Sequence, residues 1–197
     1  MKIRAILLDA GGVFFKGSLD NFVKKASKIL KIKFETIKSE KTLLNNKLVG
    51  GKIGVRKYFR EYFNIYISNE QMKKLIKLWN RTWIADKEMI KIVKILKRKY
   101  TLALFSNLDK NNDKIYRKKG WYDYFDHLIL SFELGLIKPS KKIFKIALKK
   151  LKLKSNNCLF IDDQKDNLVI AKKLGMKSLL FKNPQKLKKD LEAMKII

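Results

Sequence analysis

The stretch ILLDAGGV, residues 6–13, decides how the rest of the chain is interpreted. It joins an apolar run, Ile3 to Leu8, to an aspartate and two glycines. A short apolar run that ends in turn residues predicts a strand buried on both faces, as in a parallel sheet. Asp9 then lies where the strand ends.

Four further apolar runs have the same character, and helical periodicity separates most of them. One predicted helix runs from Lys141 to Leu151, and another from Leu168 to Leu174 ends before Gly175. Alternating strands and helices predict an α/β fold, a parallel sheet flanked by helices. The further predicted strands are Tyr100 to Phe105, His127 to Leu130, Cys158 to Ile161 and Ser178 to Phe181.

Residues 16–86 interrupt this alternation and contain no convincing strand. The helical spacing of their apolar residues instead predicts amphipathic helices, with a break at the Gly50-Gly51 pair. We therefore expect a discontinuous core domain, residues 1–15 and 87–197, with a helical domain of residues 16–86 inserted after the first strand. The predicted helices of the insertion are Leu19 to Leu30, Phe34 to Leu48, Val55 to Phe63 and Asn69 to Trp83.

The composition is strongly basic, with 47 Lys and Arg against 18 Asp and Glu and a formal charge of +29. This charge attracts polyanions at low salt, but no nucleic-acid-binding motif accompanies it, so we expect nonspecific contact with nucleic acid at most. No apolar run reaches the roughly 18 residues of a membrane span. The single cysteine, Cys158, lies in an apolar run and fits a reducing compartment. We expect a cytoplasmic protein, monomeric or homodimeric.

Polar residues follow three of the predicted strands. They are Asp9 after the first, Ser106-Asn107 after the second, and Asp162-Asp163 after the fourth. Ligands of open parallel sheets bind outside the carboxyl ends of the strands, so we expect these side chains to meet at one edge.

This set of side chains suits hydrolysis of a phosphate ester. Asp9 can act as a nucleophile, and Asp163 can join it on a hard cation such as magnesium. Ser106 can donate to a phosphoryl oxygen. Lys138, just before Pro139, can supply a fixed positive charge if the fold turns it back to the same edge.

The order of four motifs resembles the haloacid dehalogenase superfamily over nearly the whole chain. They are DAGGV from Asp9, FSN around Ser106, Lys138-Pro139, and FIDDQKDN around Asp162 and Asp163. The subgroup that it resembles contains bacterial sugar-phosphate phosphatases and the phosphatase domain of soluble epoxide hydrolases. The resemblance implies a Rossmann-like core whose inserted helices form a cap that selects a small phosphorylated metabolite.

The resemblance also implies a role for each motif residue. Asp9 would be the nucleophile that forms an aspartyl-phosphate. Magnesium would be held by Asp9, by the backbone carbonyl of Gly11 and by Asp163.

The remaining motif residues would hold phosphate or orient the metal site. Ser106 and Asn107 would bind the phosphate, and Lys138 would neutralise both the nucleophile and the phosphoryl group. Asp162 and Asn167 would orient the metal site.

One position departs from the family pattern. Most phosphatases of this superfamily carry a second aspartate two residues after the nucleophile, as general acid and base, and Gly11 stands there in this chain. Loss of such a group costs about 10² to 10⁴ in rate. Two alternatives therefore stay open: a metal-independent 2-haloacid dehalogenase, against which Asp163 argues, and a non-catalytic protein that binds phosphate or polyanions.

Overall fold

A five-stranded parallel sheet forms the centre of the computed structural model, which describes residues 2–17, 19–39 and 45–197. Its strands lie in the order β5-β4-β1-β6-β7. Each of the five predicted strands is confirmed, with ends that differ by at most two residues. The strands are β1 Ala5–Leu8, β4 Thr101–Ser106, β5 His127–Leu130, β6 Cys158–Asp162 and β7 Lys177–Leu180, and a separate pair is β2 Phe15–Lys16 and β3 Ile84–Ala85.

The central strand β1 is parallel to both of its neighbours, and this register sets the site. Leu8, its last residue, aligns with Leu104 of β4 and Ile161 of β6. The backbone N–H of Asp9 continues the ladder by donating to the carbonyl of Ile161 at 2.9 Å. The three carboxyl ends therefore meet at one edge, where the chain's topology also switches from one half of the sheet to the other.

Alternation along the strands explains why their sequences are apolar throughout. Ala5 and Leu7 belong to the hydrophobic core on one face of the sheet, whereas Ile6 and Leu8 belong to the core on the other. Successive strand side chains point to opposite faces, and helices cover both of them.

The helices of the described residues cover the two faces of the sheet or lie in the insertion. They are α1 Leu19–Leu30, α2 Phe34–Ser39, α3 Val55–Phe63, α4 Asn69–Thr82, α5 Lys87–Lys97, α6 Lys110–Lys118, α7 Ser131–Leu134, α8 Lys141–Leu151, α9 Lys165–Lys173 and α10 Pro184–Ala193. Apolar residues of α5 and α10 pack on the face that contains Ile6, and those of α8 and α9 pack on the face that contains Leu7.

The helices between β2 and β3 bury a separate apolar cluster. Its members come from α1, α3, α4 and the segments between them, with Tyr58 fully buried. Three of the four predicted helices are confirmed within one residue at each end. The fourth, Phe34 to Leu48, is wrong in part, because Asn45–Val49 forms a π-helix rather than an α-helix. Residues 40–44 of that prediction lie outside the described residues.

The pair β2 and β3 was not expected from the sequence. Phe15 pairs antiparallel with Ala85, and Lys16 pairs with Ile84. Asp86 strengthens this junction: its carboxylate accepts from Lys16 Nζ at 2.8 Å, and it also caps the first turn of α5. Strands of two residues are too short to show an alternation of polar and apolar side chains, so the sequence carried no signal for them.

The insertion contacts the sheet domain a second time, at the end of its π-helix. Gly51 approaches Phe132 so closely that an added Cβ would lie 2.6 Å from the Phe132 carbonyl oxygen. Beside it, the Ser131 hydroxyl donates to the carbonyl of Val49. The insertion is thus attached at both the β2–β3 junction and this contact.

In the described part of the chain, no helix has the length and apolarity that a membrane crossing requires.

We predict that Gly51→Ala destabilises the protein more than Gly135→Ala does. Both glycines have positive φ angles, 69° and 63°, but a Cβ at Gly135 meets nothing within 4 Å. Alanine at either position lowers the free energy of unfolding by about 1 kcal/mol, because its side chain disfavours a positive φ. The clash with Phe132 lowers it by about 1 kcal/mol or more in addition at position 51. Urea unfolding measures the difference. Equal losses in the two variants would contradict the close approach of Gly51 to Phe132.

Candidate active site

Four predicted site residues lie together at the carboxyl edge of the sheet. Asp9 directly follows β1, Ser106 ends β4, and Asp162 ends β6 with Asp163 after it. Ser106 is 2% exposed and Asp162 is fully buried. The parallel register described above brings these residues to one place although more than 150 positions separate the first from the last.

The side chain of Lys138 lies among these residues, so the fold does turn it back to the same edge of the sheet. Its Nζ is 2.6 Å from Asp9 Oδ1, 2.8 Å from Asp162 Oδ2 and 2.8 Å from the carbonyl oxygen of Phe105. Lys138 is only 4% exposed, and the rings of Phe105 and Phe160 lie about 5 Å from its ammonium. All three hydrogens of the ammonium are therefore engaged, in a setting with little water to screen the charges.

Asn107 fixes the backbone of Lys138. Its side-chain amide donates to the Lys138 carbonyl at 3.0 Å, and the Lys138 N–H donates back to Asn107 Oδ1 at 2.8 Å. These two bonds use one N–H of the side-chain amide and its oxygen. The contact of Asn107 with phosphate that the family resemblance implied stays a prediction.

Asp162 is held by a full set of donors. Its Oδ1 accepts from the backbone N–H of Gln164 at 2.7 Å and from Asn167 Nδ2 at 3.1 Å. Its Oδ2 accepts from Lys138 and again from Asn167, at 3.0 Å. Both oxygens of Asp162 are thus engaged with protein donors, and the orienting role of Asp162 and Asn167 stays a prediction.

Asp163 is more accessible and has fewer partners. Its Oδ2 accepts from Gln164 Nε2 at 3.0 Å, a contact that the sequence did not predict. The same oxygen would lie 2.5 Å from a Cβ at Gly12, whose φ of 83° also requires glycine. The second glycine of the first motif is therefore what lets Asp163 approach the loop that follows Asp9.

Carboxylate oxygens of Asp9, Asp162 and Asp163 lie within 4.8 Å of one another. With Lys138 charged, three ionised carboxylates leave two negative charges in this small volume. Burial, together with the charge of Asp162, raises the pKa of Asp9 to about 7 against the lowering effect of Lys138. Burial and Asp162 also raise the pKa of Asp163. A divalent cation would neutralise the two negative charges that the three carboxylates and Lys138 leave. Carboxylate oxygens are hard ligands, which suit magnesium.

Gly11, the position that departs from the family pattern, faces an aromatic side chain. A Cβ at Gly11 would meet only the Cη2 and Cζ3 atoms of Trp83, each at 3.9 Å. Trp83 also packs on Gly17, where a Cβ would lie 2.8 Å from the Thr82 carbonyl oxygen and would clash with the indole. In the sequence, Trp83 ends the last predicted helix of the insertion, and a contact between residues 11 and 83 has no local signal.

Comparison with known proteins identifies relatives of this chain. A family model described as haloacid dehalogenase-like hydrolase matches residues 3–175. Rat bifunctional epoxide hydrolase 2 is 39% identical over 69 residues, which are 35% of this chain and 12% of that protein. D-ribitol-5-phosphate phosphatase of Bacteroides thetaiotaomicron is 38% identical over 61 residues, which are 31% of this chain and 30% of that protein. The chain thus spans a small part of the curated relatives that it matches.

Solved structures resemble the chain over most of its length. A HAD family enzyme from Bacteroides thetaiotaomicron, solved in complex with magnesium and inorganic phosphate, has a TM-score of 0.79 and 25% identity. The match covers 91% of this chain and 94% of that one. The insertion as well as the sheet is therefore part of the shared fold.

We predict that Lys138→Met costs about 3 to 5 kcal/mol of folding stability, because it leaves Asp9 and Asp162 buried without their counter-charge. Lys145→Met is the matched control, since Lys145 lies exposed on α8. Urea unfolding at pH 8 without added cations measures both. A loss below about 1 kcal/mol for Lys138→Met would contradict the buried ion pair.

Proposed function

Because this chain belongs to the haloacid dehalogenase-like hydrolase family, we propose that it is a magnesium-dependent phosphohydrolase that acts on a small phosphorylated metabolite. The observation that carries the proposal is the buried ammonium of Lys138 between Asp9 and Asp162. It keeps a carboxylate in position at the end of β1, where a nucleophile is needed. The D-ribitol-5-phosphate phosphatase named above supports the same reaction class.

In the proposed reaction, an oxygen of Asp9 attacks the phosphorus atom and forms an aspartyl-phosphate, which water then hydrolyses. Lys138 stays hydrogen-bonded to the nucleophile and offsets the negative charge of the incoming phosphoryl group. Ser106, at the end of the neighbouring strand, donates its hydroxyl hydrogen to a phosphoryl oxygen. Asn107 contributes by holding the backbone of Lys138.

Magnesium would be held by Asp9, Asp163 and the backbone carbonyl of Gly11. Asp162 is not proposed as a ligand, because Lys138, Gln164 and Asn167 occupy its oxygens. The cation, when bound, neutralises charge on the phosphoryl oxygens. The complex of the Bacteroides enzyme with magnesium and phosphate supports this choice of metal.

We also propose that residues 16–86 act as a cap domain on a core of residues 1–15 and 87–197. Two observations support this division. The helices of the segment bury their own apolar cluster. The segment leaves and re-enters the core through the paired strands β2 and β3, and Trp83 at this junction lies against Gly11.

The two alternative functions differ in their use of Asp163 and Asp9. A metal-independent dehalogenase has no need of the crowded carboxylates, whereas here Asp163 approaches Asp9 through the space left by Gly12. A non-catalytic binding protein would tolerate Gly11 and would retain phosphate binding without turnover. The following two predictions separate these functions from the proposed one.

We predict that the protein hydrolyses 4-nitrophenyl phosphate with magnesium, and that Asp9→Asn lowers kcat by roughly 10³-fold or more because the nucleophile is lost. Asp166→Asn serves as the control, since Asp166 is exposed in the same aspartate-rich motif. Turnover is followed by release of 4-nitrophenolate. Activity that survives in Asp9→Asn would contradict the proposed nucleophile, and chloride release from a 2-haloacid without metal would support the dehalogenase instead.

We predict that magnesium stabilises the folded protein through Asp163. At a magnesium concentration of about 100 times Kd, binding to the native state raises Tm by roughly 5 to 10 °C. Asp163→Asn should lose most of this shift, and Asp166→Asn should keep it. A shift that is equal in the two variants would place the cation elsewhere. Because burial raises the pKa of Asp9 to about 7, the shift should also shrink as the pH falls below 7, when protons compete with the cation.

A further inference from the structure

Cleavage of a phosphate ester leaves the electron pair of the broken P–O bond on the departing oxygen. An alkoxide is a strong base, so most enzymes deliver a proton to it from a positioned acid. A carboxylate or a phenolate departs without that help. The supply of protons at a phosphohydrolase site therefore determines which esters it can cleave.

Lys138 and Asp162, the two most deeply buried charged side chains at this site, are both engaged with protein partners. Lys138 directs its three N–H groups to Asp9, Asp162 and the carbonyl of Phe105. Asp162 accepts hydrogen bonds from protein donors on both of its oxygens. The chain's single histidine, His127, begins β5 and so lies at the end of the strand opposite to the site.

The surface that Gly11 faces is apolar. The atoms of Trp83 that face Gly11 belong to the six-membered ring of the indole, so its N–H points away from Gly11. Trp83 is fixed there from two sides: it packs on Gly17, and its backbone N–H donates to the carbonyl of Trp79. The side chain nearest to Gly11 therefore presents carbon to it and offers no acidic group.

Resting on the phosphohydrolase function proposed above, we propose that this site is selective for phosphate esters and anhydrides whose leaving oxygen is weakly basic. Acyl phosphates, enol phosphates and aryl phosphates belong to this class, and primary alkyl phosphates do not. Gly11 and Trp83 set this selectivity, the first by lacking a carboxylate and the second by lining the leaving-group side with carbon.

The reaction balances without a protein acid. An oxygen of Asp9 forms a bond to phosphorus while the bond from phosphorus to the leaving oxygen breaks, and that oxygen departs as an anion with the electron pair. Water then attacks the aspartyl-phosphate, the electron pair of the P–O bond returns to the Asp9 carboxylate, and the proton of the water passes to solvent. Together, the two steps consume one substrate and one water molecule, and they release the leaving-group anion and inorganic phosphate.

The test compares kcat/KM of the protein, with magnesium, on acetyl phosphate, 4-nitrophenyl phosphate, phenyl phosphate and ethyl phosphate. Acetyl phosphate releases the anion of a carboxylic acid, whose pKa is about 4, and phenyl phosphate releases the anion of phenol, whose pKa is about 10. Ethyl phosphate releases the anion of an alcohol, whose pKa is near that of water, about 15. We expect kcat/KM for ethyl phosphate to be at least roughly 10²-fold below that for 4-nitrophenyl phosphate, the minimum contribution of a general acid.

A pair of variants tests the cause. Gly11→Asp adds a carboxylic acid, and Gly11→Asn adds the same bulk without an acid; a Cβ at this position meets only ring atoms at ordinary contact distance. We expect the ratio of ethyl to 4-nitrophenyl phosphate turnover to rise at least about tenfold in Gly11→Asp relative to Gly11→Asn. If neither variant folds, Trp83→Leu, which removes the aromatic wall, takes their place and should raise the same ratio by admitting water to the leaving group.

The outcomes are distinguishable. A wild-type kcat/KM for ethyl phosphate that is less than roughly 10²-fold below that for 4-nitrophenyl phosphate overturns this inference but leaves the phosphohydrolase function standing. Equal ratios in Gly11→Asp and Gly11→Asn overturn the role of Gly11. Failure to hydrolyse any of the four compounds, acetyl phosphate included, overturns the proposed function itself.

Discussion

The ammonium group of Lys138 connects the elements from which the site is built. It joins the end of β1 through Asp9, the end of β4 through the Phe105 carbonyl, and the end of β6 through Asp162. Burial of a lone cation in such a place costs several kcal/mol, and so does burial of either carboxylate. Each charge is tolerated because the others are present. Burial alone would lower the pKa of Lys138, but the two carboxylates raise it, so the lysine stays charged.

Around this ion pair, the site has two sides of opposite character. One side is charged: Asp9, Asp162 and Asp163 lie within 4.8 Å of one another and are short of positive charge. The other side is formed by the glycines after the nucleophile and by Trp83, which packs against Gly11 and Gly17. The absence of a side chain has different effects at positions 11 and 12. At Gly12 it lets Asp163 approach, whereas at Gly11 it leaves room that an aromatic ring borders.

The parts of the structure that follow from local patterns could be predicted from the sequence. Asp9 and Asp163 were identifiable because each follows a buried strand, and parallel strands bring their carboxyl ends together. Lys138 was much harder, as one of 47 basic residues, and depended on its place before Pro139. The contact of Trp83 with Gly11 depends on packing between distant residues, which no periodicity encodes. The π-helix Asn45–Val49 was missed because apolar spacing in a short segment does not separate it from an α-helix.

The two-residue strands β2 and β3 have a consequence for the entropy of the chain. Phe15 and Ala85 are paired across this ladder, so the two ends of the intervening segment are held side by side. To the sheet domain, the segment is a closed loop, and the entropic cost of closing a loop grows only with the logarithm of its length. Residues can be added to or removed from the segment at small cost to the rest of the molecule. The segment that we propose as a cap can thus diverge while the buried charges around Lys138 stay unchanged.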